Sequence, residues 1–300
     1  MHQPRETTVS RLQQSQPLIV LGMHRSGTSL TVRLLHDLGI HMGSWLSRDA
    51  ESVHFQRLNR RIFRAADSKW AQVDGLLRQM ESPDFVAQQA ARVHHALFTT
   101  RVPFRKAPIA SFFGPELWQR VENGQSVAWG WKDPRTSLTF PVWVPIFPRA
   151  RWLHILRNGV DVAISIHRRS LKQQRKLRNR LFPIDYSAAT LDFSYSFRLW
   201  EQYLSFILAH KHEVPAGQYL EVRYEDLLAD PETHLREIMD FAGCPLDSRA
   251  GAPSLLEEAC KQINADRLDN RRHAAAYRAA IPGLISRPLM QQLGYGYDVT

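Results

Sequence analysis

The chain has 300 residues, 44% of them hydrophobic, so it is long enough to bury one large core. Its two cysteines, Cys244 and Cys260, are far from any CxxC or Cys/His cluster. This excludes a disulfide framework or a zinc site and favours a reducing, cytoplasmic setting. The net charge of +10 favours anionic partners, but no zinc finger or aromatic-interleaved basic motif indicates a specific nucleic-acid reader.

The first segment, residues 1–16, is polar and lacks the apolar run of a signal peptide. We expect it to be a flexible leader in front of a single domain formed by residues 17–300. No run in the sequence approaches the roughly 20 apolar residues of a transmembrane segment, so none is expected.

The stretch from Leu18 to Gly39 predicts a strand, a glycine-bounded loop and a helix. Its first four residues are apolar, which is typical of a buried parallel strand. Gly22 and Gly27 have the spacing of a phosphate-binding P-loop, and leucines recur afterwards at helical spacing. Such a unit directs backbone N–H groups and a helix N-terminus at an anion.

The loop departs from an ATP-binding P-loop at one position. Thr28 and Ser29 follow Gly27, where an ATP-binding loop has a lysine that reaches the β- and γ-phosphates. A cation stands inside the loop instead, at Arg25. The loop therefore suits phosphate-like oxygens without the usual ATP chemistry.

The remaining elements alternate along the chain. Helical patterns cover about 49–63, 83–100 and 116–122, within a helical insertion of about 40–125. Strands are predicted at 127–131, 151–156 and 219–224, with helices at 136–147, 160–178, 188–212, 232–241 and 255–263. Alternation of this kind predicts an α/β fold, a P-loop-like three-layer αβα domain with a mostly parallel central sheet. Ligands of such sheets bind at the carboxyl ends of the strands.

The segment His-Arg-Ser-Gly-Thr-Ser at residues 24–29 resembles the 5′-phosphosulfate loop of sulfotransferases that use 3′-phosphoadenosine 5′-phosphosulfate (PAPS). In particular it is similar to the Arg-type loop of the Golgi and bacterial members. The resemblance implies a PAPS-dependent transferase without a metal. The residues that it implies for the 5′-phosphosulfate, with Arg25 also stabilising the leaving phosphate, are Arg25, Ser26, Gly27, Thr28 and Ser29.

Two further strand ends carry matches to this family. Lys132, in the sequence Lys-Asp-Pro-Arg, is similar to the lysine of the Lys-Asp-Pro motif of tyrosylprotein sulfotransferases and their bacterial relatives. That implies contact with the sulfonyl or bridging oxygen. Arg157 and Ser165, eight residues apart, resemble the site for the donor's 3′-phosphate, where arginine offers a planar fork to phosphate oxygens. A surface lysine in a turn and an arginine paired with Asp161 are the alternatives.

Two weaker matches lie in the last third of the chain. Tyr224 opens a Tyr-Glu-Asp motif that resembles the family's and implies a place in the adenine pocket, although an aromatic residue at a strand end is usually part of the core. Arg267, Arg271 and Arg272 lie where many members bring a C-terminal loop over the 3′-phosphate, but the family's Arg-Lys-Gly triplet is absent.

The catalytic base is sought after the first helix, in residues 47–55. Related Golgi and bacterial enzymes place a glutamate in this region, and Glu51 fits best. Asp49 and His54 are alternatives, and each of these residues is also typical of the beginning of a helix. The Lys-x-His motif of the cytosolic branch is absent.

The sequence thus predicts in-line transfer of a sulfuryl group from PAPS to a hydroxyl or amine of a small-molecule or saccharide acceptor, with a carboxylate base. Two alternatives stay open. One is an ATP-dependent P-loop small-molecule kinase, which needs a lysine after Gly27 and a carboxylate for Mg²⁺. The other is a non-catalytic protein that binds a nucleotide or an anionic polymer. The acceptor and the oligomeric state stay open as well.

Overall fold

The computed structural model describes residues 7–99, 107–175, 187–246, 251–263 and 271–297. Its four described strands are β1 Leu18–Leu21, β2 Gly130–Lys132, β3 Arg151–Leu156 and β4 Tyr219–Arg223. The first eight helices are α1 Thr8–Gln13, α2 Thr28–Asp37, α3 Val53–Ala65, α4 Asp74–Met80, α5 Pro83–Phe98, α6 Ala110–Glu122, α7 Thr136–Trp143 and α8 Gly159–Gln174. The later helices are α9 Phe193–His210, α10 Tyr224–Ala229, α11 Pro231–Phe241, α12 Ala252–Lys261, α13 Arg271–Ala274, α14 Ile281–Ile285 and α15 Pro288–Gln292.

The four strands form one parallel sheet in the order β2-β1-β3-β4. Its register places Ile19 of β1 beside Trp131 of β2 and Trp152 of β3. After β1 the chain forms β2 on one side of β1, and it later forms β3 on the other side. The connections therefore diverge at the carboxyl ends of β1 and β3, which is where open α/β sheets bind ligands.

The sheet separates two hydrophobic cores because successive side chains of a strand point to opposite faces. Leu18 and Val20 of β1 join a core that α2, α11 and α12 cover. Ile19 and Leu21 join a larger core formed with α3 to α9. The prediction of an α/β fold with a mostly parallel sheet and flanking helices is therefore confirmed.

The N-terminal segment differs from the expected flexible leader over its described part. Thr7 caps helix α1 by accepting a hydrogen bond from the Ser10 N–H. Leu12 is only 4% exposed and belongs to the larger core. The Arg11 side chain donates to the carbonyls of Val121 and Glu122 at the end of α6. Residues 1–6 lie outside the described residues.

Several element boundaries also differ from the predictions. Strand β3 has the predicted bounds, whereas helix α3 begins at Val53 rather than near Asp49, and α4 was not predicted. The end of the predicted helix 160–178 lies outside the described residues. The expected insertion holds α3 to α6, of which α6 is kinked at Gly114. Within the described ranges, no helix has the length and apolar character needed to cross a membrane.

Candidate active site

The loop between β1 and α2 has the backbone of an anion-binding turn. Gly22, Arg25 and Gly27 all have positive φ angles, of 143°, 74° and 98°. Gly27 is the N-cap residue of α2, and no side chain caps the helix. Because the first N–H groups of a helix lack intrahelical partners, this end of α2 offers donors to a ligand.

Contacts within the protein fix the shape of this loop. The Ser26 hydroxyl and N–H both donate to the Met23 carbonyl, at 2.7 and 3.1 Å. The Gly22 N–H donates to the Ser137 hydroxyl at 2.9 Å. A Cβ at Gly27 would lie 2.1 Å from the Tyr224 ring, so only glycine fits there. Ser26 therefore stabilises the conformation of the loop. Thr28 is buried at the start of α2.

Lys132, at the end of β2, projects to this loop as the sequence predicts. Its side chain is buried, and its Nζ donates to the Ser29 hydroxyl at 3.1 Å and to the Asp49 carbonyl at 2.7 Å. The Ser29 hydroxyl donates to the same carbonyl at 2.6 Å. Burial lowers the pKa of Lys132 to about 8, although Glu51, Asp133 and Asp49 lie near enough to oppose that shift.

Glu51 is a buried carboxylate close to Lys132. Burial is the main cause that raises its pKa, and Asp133 raises it further, against the effects of Lys132 and Arg135. The Gln56 amide donates a hydrogen bond to its Oε2. Arg135 Nη1 lies 3.8 Å from the same oxygen. The structure thus places Glu51 near Lys132. This is the arrangement that a catalytic base beside a stabilising cation requires.

The two alternative bases have other partners. The Asp49 carboxylate forms an ion pair with Arg169 of α8 at 3.1 Å. His54 lies 3.2 Å from the Ser111 hydroxyl through its Nδ1. Burial, with Arg57 and Arg61 contributing, lowers the pKa of His54 to about 4. The Asp49 carboxylate also lies near enough to Lys132 to raise the pKa of that lysine, although its ion-pair partner is Arg169.

Arg157 lies at the carboxyl end of β3, and its guanidinium is buried beside the loop. Its Nη1 donates to the Arg25 carbonyl at 3.1 Å. Its Nε and Nη2 are buried and have no hydrogen-bond partner among the described residues, with Asp161 3.8 Å away. Ser165, two turns along α8, accepts a hydrogen bond from Arg25 Nε at 2.9 Å. Arg25 thus contacts both Arg157 and Ser165 in one cluster, although the sequence assigns Arg25 to the 5′-phosphosulfate and the other two residues to the 3′-phosphate.

Tyr224 is buried between the loop and this cluster. Its ring packs on Gly27, and the Arg157 guanidinium lies 4.8 Å from the ring centroid. The C-terminal segment also returns to this end of the sheet, because Asn158 Nδ2 donates to the Gly296 carbonyl at 3.0 Å. Of the basic residues predicted near the 3′-phosphate, Arg267 lies outside the described residues, and Arg271 and Arg272 begin α13.

Aromatic side chains of the insertion and of α9 pack beside the loop. The His24 ring lies 4.7 Å from Trp70 and 6.4 Å from Tyr203, and Tyr203 donates to the Trp70 carbonyl at 2.9 Å. Burial keeps the pKa of His24 well below its usual range, and the cations Arg135, Lys132, Arg169 and Arg25 lower it further. Burial and these cations therefore favour the neutral imidazole of His24.

Sequence reasoning missed two buried polar residues of helix α3, although the sequence pattern of the helix indicates them. Gln56 and Asn59 lie among Phe55, Leu58 and Ile62 on the buried face of α3. A polar residue at a core position of an amphipathic helix indicates a buried hydrogen-bond network. The partners of such a network cannot be read from the helix itself.

Comparisons with known proteins identify the family of this chain. A family model described as "Sulfotransferase family" matches residues 17–248. The chain belongs to the sulfotransferase family. The match includes the loop, Glu51, Lys132 and the Arg157 cluster.

Solved structures and a curated relative extend the comparison. The sulfotransferase domain of the olefin synthase of Synechococcus PCC 7002 has a TM-score of 0.53 at 18% identity, with 99% of both chains covered. Sulfotransferase STF9 from Mycobacterium avium has a TM-score of 0.50 at 16% identity, covering 98% of this chain and 84% of that one. At these identities the likeness shows the shared fold. An uncharacterised protein from Aquifex aeolicus (strain VF5) is 27% identical over 107 residues, 35% of this chain but only 12% of the relative.

Proposed function

We propose that this sulfotransferase transfers the sulfuryl group of PAPS to a hydroxyl or amine of a small-molecule or saccharide acceptor. The observation that carries the proposal is the buried Arg157 guanidinium beside the loop. Its Nε and Nη2 have no hydrogen-bond partner among the described residues, and Nη2 forms an ion pair with Asp161 at 3.8 Å. Buried guanidinium N–H groups without hydrogen bonds are costly unless an anion accepts them. The 3′-phosphate that distinguishes PAPS from ATP supplies such an anion.

The cations around the loop fit the other end of the donor. PAPS supplies an activated sulfuryl group on a 5′-phosphate. Arg25, the buried Lys132 and the uncapped N–H groups of α2 lie around one loop and can stabilise the charge that develops on a leaving phosphate. Tyr224, packed on Gly27, is proposed to border the adenine pocket.

Glu51 is the proposed base for the acceptor proton. A raised pKa makes a carboxylate a stronger base, and Glu51 is a buried carboxylate whose pKa is raised by that burial. The aromatic wall of His24, Trp70 and Tyr203 lies next to the cluster that holds it and is proposed to bind the acceptor. A reducing, cytoplasmic setting is also proposed, in keeping with Cys244 and Cys260, which form no disulfide within the described residues.

The kinase alternative is disfavoured by the same residues. Thr28 occupies the position of the P-loop lysine, and Asp133 is the carboxylate closest in position to a Mg²⁺ ligand. Both Asp133 oxygens are already engaged, one by Asn59 at 2.9 Å and the other by Arg135 at 2.8 Å. A non-catalytic binding protein is distinguished by turnover, because it releases no PAP from PAPS.

Isothermal titration with adenosine 3′,5′-bisphosphate (PAP), AMP and ATP without Mg²⁺ tests the donor. We expect PAP to bind more tightly than AMP. The Arg157→Ala variant should weaken PAP binding by about ten- to a hundredfold while AMP binding changes little, because one charged hydrogen-bonding group is lost. Arg236→Ala, on the surface of α11, is the control and should bind PAP like the wild type.

Two results would contradict the proposal. Equal affinities for PAP and AMP would mean that no site for the 3′-phosphate exists. A requirement for ATP with Mg²⁺ would move the kinase to first place. With PAP binding established, radiolabelled PAPS and an acceptor library follow.

A further inference from the structure

A chain of buried polar side chains connects helix α3 to Glu51. It begins at Asn59, whose Nδ2 donates to Asp133 Oδ2 at 2.9 Å and to Thr136 Oγ1 at 2.8 Å. Its Oδ1 accepts from Thr139 Oγ1 at 2.8 Å and from Trp143 Nε1 at 3.0 Å. The amide uses all of its ordinary hydrogen-bonding capacity, so these partners fix its orientation.

Asp133 continues the chain from this anchor. The carboxylate is completely buried, and its second oxygen accepts from Arg135 Nη1 at 2.8 Å and from the Arg135 N–H at 3.3 Å. Arg135 is itself buried, and the same Nη1 lies 3.8 Å from Glu51 Oε2. Arg135 Nη1 thus lies between two carboxylates. Asp133 is held in place through Asn59, and Glu51 is the carboxylate at the site.

We propose that Asp133, held by Asn59, is a positioning residue that keeps the Arg135 guanidinium short of a full ion pair with Glu51 and so sets the orientation and proton affinity of that carboxylate. The inference rests on the proposed function, in which Glu51 accepts the acceptor proton. It assigns a role to the carboxylate in Lys-Asp-Pro-Arg that is neither donor binding nor metal binding.

The other groups near Glu51 favour either its ionised or its protonated form. Lys132 beside it and Arg135 favour the ionised form, as does the Gln56 amide, whereas burial and Asp133 favour the protonated form. Arg60 of α3 and Tyr203 of α9 face the same cluster. Asp133 acts twice, because it repels a second negative charge and also holds Arg135 away from full pairing with Glu51.

The test is a pH titration of the Glu51 carboxyl by ¹³C NMR, with the resonance assigned by its loss in Glu51→Gln. In Asp133→Asn, the negative charge is gone and Arg135 is free to pair with Glu51. Both changes favour the ionised carboxylate, so its midpoint should move to lower pH than in the wild type. Asp67→Asn, in an exposed turn after α3, is the matched control and should leave the midpoint in place.

Arg135→Gln separates the network from general loosening of the site. Loss of this cation removes a partner of Glu51 and leaves Asp133 unneutralised, so the midpoint should move to higher pH. A variant that only admitted water would lower it, because burial is what raises it. Opposite shifts in the two variants are therefore the expected signature.

Two outcomes overturn the inference: an Asp133→Asn titration that matches the wild type, or shifts of the same direction in both variants. Asn59→Ala serves as a further variant if Asp133→Asn fails to fold. It leaves the Asp133 charge with Arg135 as its main partner, so Arg135 is drawn further from Glu51 and the midpoint should move to higher pH. Titration of the wild type with PAP is run in parallel. A failure to bind PAP would overturn the proposed function, while the carboxyl titrations would still decide whether the network exists.

Discussion

At the scale of the residue, burial decides which charged groups can do chemistry. Lys132 is 2% exposed and is held by Ser29 and Asp49. Burial lowers its pKa to about 8, so its charge changes just above neutral pH. A lysine of this kind binds an anion only while it is protonated.

PAP affinity should therefore fall as pH rises through about 8, because the deprotonated Lys132 no longer attracts a phosphate. The falling limb should be absent in Lys132→Arg, since arginine stays charged. Calorimetry in two buffers of different ionisation enthalpy should show proton uptake on PAP binding near pH 8.5 in the wild type but not in Lys132→Arg.

The matched control is Lys261→Arg, whose lysine is exposed on α12 and pairs with Glu257. It should retain both the pH dependence and the proton uptake. Affinity that is flat from pH 7 to 9 in the wild type would show that Lys132 does not face the donor.

At the scale of the element, the unit formed by β1, the loop and α2 was predictable because it is local. Its apolar run, its two glycines and its leucine spacing all act within about 20 residues. The predicted beginning of helix α3 was too early because the loop before it is held by residues distant in the chain. In particular, the Ser52 N–H donates to the Lys132 carbonyl at 3.0 Å. No local pattern reports a hydrogen bond to a strand that lies 80 residues away.

Gly27 joins this unit to Tyr224 at the end of β4. In Gly27→Ala the new methyl group would overlap the Tyr224 ring, in addition to the strain of a positive φ. We expect a loss of PAP binding and a lower free energy of unfolding in urea. Gly217→Ala is the control, because its φ is 78° and no atom lies within 4 Å of a Cβ there.

Both variants share the backbone strain, so their difference isolates the overlap. We expect Gly27→Ala to be less stable than Gly217→Ala by about 1–3 kcal/mol. Equal stabilities, with PAP binding retained in Gly27→Ala, would mean that the loop and Tyr224 do not pack as described.

At the scale of the whole molecule, two cores on the faces of one sheet hold the site together. Helix α1 contributes Leu12 to the larger core, although its segment is polar in sequence. A flexible leader was expected because one buried leucine among polar neighbours gives no clear periodic signal. The docking surface for it is formed by other parts of the chain, including the end of α6.

Leu12→Ala should lower the free energy of unfolding in urea by about 2 kcal/mol, at the lower end for a buried leucine because the site lies near the chain terminus. Leu255→Ala, with its side chain 45% exposed, is the control and should change stability little. If the two variants were equally stable, α1 would not be docked in solution.

The sequence by itself determined the fold class, the glycine-bounded loop after β1 and the positions of Lys132 and Arg157 at strand ends. These depend on short-range periodicity and on strand ends, which a parallel sheet gathers at one edge. The family resemblance assigned their ligand. The tertiary structure alone placed Asp133 between Asn59 and Arg135 and put Arg135 against Glu51. Burial and charge come from segments more than 100 residues apart in the chain, as in the Lys132–Ser29 bond with its separation of 103 residues, so they exist only once the chain has folded.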